Sequence, residues 1–114
     1  MTTTVTYLHN QRNDIDRWTQ GWKPGDKLRW IDMTVVPEDH PHPAEFAFEW
    51  YQRIDGGRGE DALNQAKAPS LSVGDIVVVQ DEDTVSYFAC QRVGFDRLDE
   101  DEVLDVLTQL GTIR

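Results

Sequence analysis

One cysteine, Cys90, is all that this chain of 114 residues contains, which excludes an internal disulfide and any metal site built from several thiolates. Positive charge is scarce as well: 11 Lys and Arg stand against 21 Asp and Glu, a formal net charge of −10. Such a field repels phosphate backbones and supplies no counterion-release drive, so direct nucleic-acid binding is disfavoured, as is attraction to an anionic membrane. Long apolar runs are missing, so no stretch reads as a bilayer-crossing helix. The first residues, MTTTVTYLHNQRND, have neither the basic n-region nor the apolar h-region of a secretory signal. A reducing, cytoplasmic setting is expected. The acid surplus explains solubility before it explains any function.

Aromatic side chains, by contrast, are plentiful: four Trp, four Phe and three Tyr. Each buries a large apolar area, so a hydrophobic fraction of 39% still fills a small core. The length suits one domain, residues 1–114.

Periodicity divides the chain. Thr2 to Leu8 reads as a strand with Val5 and Tyr7 on one face. Asp14 is placed to cap a helical turn carrying Ile15 and Trp18, and Pro24 with Gly25 makes a turn. In KLRWIDMTVV, alternation sets Leu28, Trp30, Asp32 and Thr34 against Ile31, Met33 and Val35, the second set being the expected core side. Pro37 stops that strand. Phe46, Ala47, Trp50, Tyr51 and Ile54 then form the broad stripe of a helix, with Pro43 and Glu45 in its first turn and Gly56 or Gly57 at its end. The stretch GGRGEDALNQAKAPS leaves open a short helical turn around Asp61 to Lys67, but its apolar content (Ala62, Leu63, Ala66) is thin and it reads as a mobile loop.

Ile76 to Val79 is apolar on both faces, as a central strand is. Asp81, Glu82 and Asp83 make a hairpin turn, and Thr84 to Val93 returns. In the last helix Asp99 and Glu102 have capping-box spacing, Val103, Val106, Leu107 and Leu110 form the stripe, and Gly111 ends it. The pattern predicts an α+β fold: a single antiparallel sheet of about four strands with two helices packed on one face.

The segment Ser70-Leu71-Ser72-Val73-Gly74-Asp75 invites a chemical reading, because serine hydroxyls and glycine-loop amides hold anions ahead of a helix. Here a strand follows instead. A turn is expected, in which Gly74 takes an angle other residues resist and Asp75 accepts from neighbouring amides. His40 and His42 lie two apart in a proline-rich link with Glu38 and Asp39 beside them and His9 far away, a spacing that matches no recognised zinc pattern. Cys90 sits inside a strand of an acidic chain, where a buried small hydrophobe is expected rather than a nucleophile. With 21 acids, no carboxylate pair stands out as a general acid and base. The expectation is no enzyme, no cofactor and no metal.

What stands out is a candidate interaction surface of two parts. Trp18, Trp22 and Trp30 flank one turn, and Trp30 lies opposite Ile31 and Met33, so these rings either meet a protein partner or seal the second side of the sheet. Asp99, Glu100, Asp101, Glu102 and Asp105, with Asp96 before them, form an acidic run.

The stretch Ser70 to Val77, followed by Tyr87-Phe88 and Gly94-Phe95, resembles the hallmark of the YodL-like domain family and related small proteins of actinobacterial phages and mobile elements. The aromatic helix AEFAFEWYQRI resembles the segment preceding that hallmark, so the likeness spans roughly the C-terminal two-thirds. Pro69 stands where the family often carries arginine. The resemblance implies a mobile-element association, near antirestriction and DNA-processing modules, and brings no activity with it. The tryptophans and the acid surplus set two functions against each other, and a third, enzymatic one stays open only if a deep pocket lined by Cys90 or the histidines is found. One is a non-catalytic protein-interaction module with an unknown protein partner and room for a weak homodimer. The other is an acidic, DNA-mimicking inhibitor of a nucleic-acid enzyme.

Overall fold

β-Branched and aromatic runs make the strands of the computed structural model: β1 (Thr3–Asn10), β2 (Leu28–Val36), β3 (Ile76–Gln80), β4 (Val85–Cys90) and the short β5 (Phe95–Arg97). The structure describes residues 2–12, 14–23, 26–38, 40–52, 59–82, 84–92 and 94–113. Pro24, Gly25, Asp39, Ile54, Gly56, Gly57 and Asp83, and the side chains of Ile15 and Leu110, lie outside the described residues. The helices are α1 (Asp14–Gln20), α2 (Pro43–Trp50), α3 (Glu60–Ala66) and α4 (Glu100–Ile113).

The fold is α+β, with one open antiparallel sheet in the order β2-β1-β3-β4-β5. Among the described residues, five strands and four helices replace the expected four and two. The extra strand follows a turn at Gly94: the strand expected over Thr84 to Val93 ends at Cys90, and Gly94, with φ +73° and its carbonyl accepting from the Gln91 amide (3.0 Å), reverses the chain into β5. β3 is central, as its two-sided apolar run requires, and Ile76 and Val77 are fully buried.

Tyr7 and Leu8 are neighbours in β1, so they point to opposite faces, and each anchors its own core. On one face Val5, Tyr7 and Val77 pack with Phe46 and Ala47 of α2, with Tyr51, and with Leu63 of α3. On the other, Leu8, Ile76, Tyr87 and Ala89 pack with Trp22, Leu98 and Val106 of α4. Helices therefore cover both faces, not one. Each fully buried aliphatic or aromatic chain adds roughly 1.5–3 kcal/mol over exposure.

The segment expected to be a loop forms α3, because Leu63 at its centre is fully buried and Arg29 Nη1 donates to the Ala66 carbonyl (2.8 Å). Lys67 ends it in the left-handed region. Gly111 lies inside α4, which runs on to Ile113. The capping box at the start of α4 is as expected: the Glu102 amide donates to Asp99 Oδ1 (2.9 Å) and the Asp99 amide to Glu102 Oε1 (3.2 Å).

The strand β2 departs most from its alternation. Tyr7 pairs with Asp32 and Leu8 with Trp30, so Ile31 is an extra residue in a bulge. Beyond it the sides exchange. Ile31, Asp32, Thr34 and Val36 face α2 and α3, while Leu28, Trp30, Met33 and Val35 share the face of Leu8. Met33 and Val35 were expected in the core and are exposed instead.

Candidate interaction surface

The serine-glycine segment resolves into a structural hub. Gly74 has φ +92°, its amide donates to the Cys90 carbonyl (2.9 Å), and Asp75 accepts from the Ser72 amide (2.9 Å). The fully buried Asp75 carboxylate also accepts from the Asn10 amide (2.8 Å) and lies 3.0 Å from His9 Nδ1 and 3.3 Å from the Tyr7 hydroxyl. Asn10 Nδ2 donates to the Gly74 carbonyl (3.0 Å) and to Asp26 Oδ2 (2.9 Å). These contacts pin the turn to β1. The long-range partners on β1 left no trace in the local motif. Among the described residues, Tyr7, His9, Asn10, Ser72 and Asp75 line none of the clefts bordered by Val85, Phe48 or Pro43.

Cys90 does border a cleft of about 300 Å³, with Glu45, Phe48, Glu49 and Phe95. Its chemistry is nonetheless that of a packed thiol. Burial first, and the Asp75 charge second, push its pKa up to about 12, and no histidine lines the cleft. Tyr51 is likewise held protonated, raised by burial and by the bond its hydroxyl donates to Asp32 (2.8 Å). Among the described residues, no group of three His, Cys, Asp or Glu is placed to hold a metal ion. His40 instead accepts from the His42 amide (3.2 Å) and lies 3.8 Å from Glu49.

Of the three tryptophans, Trp22 belongs to the core. It is buried under α4 and donates from Nε1 to Glu102 Oε2 (2.9 Å), which also draws half-buried Glu102 out of the acidic run. Trp18 on α1 is 54% exposed and borders a shallow cleft with Gln91, Arg92 and Asp96, beside the β4–β5 hairpin. Trp30 is 47% exposed on β2, at the opposite edge of the sheet. The structure does not bring the three together. Asp99, Glu100 and Asp101 are exposed around the start of α4, and Asp105 is half-buried one turn on.

The strand register gathers a different set around Trp30. On the α4 face, one row across the sheet reads Trp30, Leu8, Ile76 and Ala89, and α4 covers its middle. The next row reads Met33, Thr6, Val78 and Tyr87, and the last reads Val35, Thr4, Gln80 and Val85. Cover fades along this direction: Met33 is 53%, Val35 59% and Val85 45% exposed. Leu104 on the flank of α4 is 62% exposed and meets Val85, Tyr87, Glu100 and Val103 in a cleft of about 640 Å³. Met33 and Val35 at the β2 edge, and Val85 with Leu104 at β4, thus bound one apolar step whose middle carries Thr4, Thr6, Val78 and Gln80. Burial also raises the Tyr87 hydroxyl above its ordinary pKa, so this floor carries no phenolate at neutral pH.

Sequence reading missed Met33, Val35, Val85 and Leu104. The bulge reversed β2, and only the width of the α4 stripe, with Val103, Leu104, Val106 and Leu107 all apolar, hinted that one flank stays open. Among the described residues no helix is long and apolar enough to cross a membrane. Comparison with known proteins brings no match: no family model, curated protein or solved structure is similar enough to lend this surface a role.

Proposed function

We propose that this chain is a non-catalytic protein-interaction module of phage or mobile-element origin, working in the cytoplasm through the open half of its α4 face. One observation carries it: Trp30, Met33 and Val35 on β2, and Val85 with Leu104 at the β4 side, are exposed apolar chains on the face of the sheet opposite the α2–α3 core. Contiguous exposed apolar surface rimmed by polar residues marks interaction sites. The mobile-element origin rests on the resemblance of the Ser70 to Val77 stretch to YodL-like proteins. A DNA-mimicking inhibitor would need its carboxylates along one ridge. The exposed acids instead stand on opposite sides of the sheet, Glu45 and Glu49 on α2 against Glu100 and Asp101 on α4.

The test is a pull-down with the native chain and with the double variant Met33→Thr, Val35→Thr, which keeps β-forming residues at both positions. A partner held by the native chain should be lost by the variant. Equal recovery by both would remove this face from the function.

A further inference from the structure

We propose that the occupant of the apolar step is an amphipathic helix of a partner protein, its apolar stripe flanked by lysine and arginine. The inference rests on the functional reading above and adds the partner's chemistry.

Charge decides the class. The strand residues facing this side, from Leu28 to Val35 on β2, Thr4 to Asn10 on β1, Ile76 to Gln80 on β3 and Val85 to Ala89 on β4, include no Lys or Arg. The β3–β4 turn carries Glu82 and the start of α4 carries Asp99, Glu100 and Asp101, while Glu38 and Asp81 line the cleft beside Pro43 on the other face. Arg97 is the cation bordering the cleft, beside Asp99 and Glu100. A floor of Met33, Val35, Val78, Tyr87 and Val85, with neutral Thr4, Thr6 and Gln80 among them and acids at the start of α4, complements a helix with an apolar centre and basic margins, and it disfavours acidic partners. A second copy of this chain would bring another −10 of charge against the same rim.

Shape decides the form. Four strands at about 4.8 Å spacing give a floor roughly 14 Å wide, and its two open rows lie about 7 Å apart along the strands. A helix of about 10 Å diameter laid beside α4 would cover both rows with about three turns. Its apolar residues at i, i+3, i+4 and i+7 would meet Met33, Val35, Val85 and Leu104, the mode in which a groove reads one face of a helix.

The experiment titrates the full chain with three synthetic helical peptides, sharing one leucine stripe and carrying lysine, glutamine or glutamate elsewhere. Binding is followed by calorimetry and by Trp fluorescence, with the oligomeric state measured by sedimentation. The lysine peptide should bind best. Met33→Thr with Val35→Thr should weaken it about tenfold. Glu100→Gln with Asp101→Asn should weaken it about threefold and flatten its salt dependence. Trp18→Gln, away from the step, should leave it unchanged, and circular dichroism would verify that each variant is folded. If the glutamine or glutamate peptide binds as well and the Met33/Val35 variant still weakens it, the step is a docking surface but the basic partner is wrong. If the chain self-associates and that variant makes it monomeric, the occupant is a second copy and the proposal falls, again leaving the surface reading intact. If the lysine peptide binds the Met33/Val35 variant as tightly as the native chain, or no peptide binds a monomeric chain, both the proposal and the surface reading fail.

Discussion

The two faces of the sheet are built from the same strands and treated differently. On the α2 and α3 side, aromatic and aliphatic chains from helices and loops close over Val5, Tyr7, Ile31, Val36 and Val77. On the α4 side Val106 of α4, with Trp22 and Leu98, covers Leu8, Ile76 and Ala89 and leaves the Met33 and Val35 rows open. Apolar content does not separate them, since both carry valine, tryptophan and leucine. The difference lies in how many elements fold back onto each. A face closed by several elements buries its apolar chains, and a face closed over only some of its rows leaves Met33, Val35 and Val85 exposed.

Substitutions can break or sharpen this contrast. The largest effect is expected at the hub that ties the turn to β1. Asp75→Ala removes the acceptor of two backbone amides, Asn10 and Ser72, each worth about 1–3 kcal/mol when left without a partner, so the loss should be on the order of 4 kcal/mol in urea unfolding. A change below about 1 kcal/mol would mean that the hub is not what holds the turn.

Next comes the covered core. Leu63→Ala on α3 should cost about 3 kcal/mol, within the range for emptying a core leucine site. If the chain tolerated it, the packing of α3 on the sheet would be in doubt.

The covered face also predicts a pH dependence. In the folded chain the Cys90 thiol is pushed up to about 12 from its ordinary 9.0. Between those values the unfolded chain gives up the proton first, so stability present below pH 9 should decline as pH rises through this window. At pH 8 the native thiol should resist alkylation and react only once denaturant is added. Rapid native labelling would show that the cleft beside it opens.

The smallest effect belongs to the open face. Met33→Thr with Val35→Thr should shift stability by no more than about 0.5 kcal/mol per site, because both side chains already meet solvent. A loss comparable to that of Leu63→Ala would mean that this half of the face is part of the core.

Much of the fold was legible because its signals are local. The α2 stripe of Phe46, Ala47 and Trp50, the capping box of Asp99 and Glu102, and the glycine turn before β3 each depend on residues a few positions apart. The site was barely legible. Alternation puts Trp30 opposite Ile31 but reads Met33 and Val35, its neighbours on that face, as core, while Trp22 takes one of the two roles the sequence leaves open for it, sealing the second side of the sheet.

The physical reason is range. Composition and periodicity alone determined an acidic α+β chain with a central two-sided strand and a glycine turn whose groups bond to the chain itself. Tertiary structure alone decided which residues those strands expose. The Ile31 bulge exists only through pairing with β1, and one added residue exchanges the sides of everything after it. Where α4 comes to rest on the sheet is also a matter of long-range packing, and that leaves the apolar step uncovered.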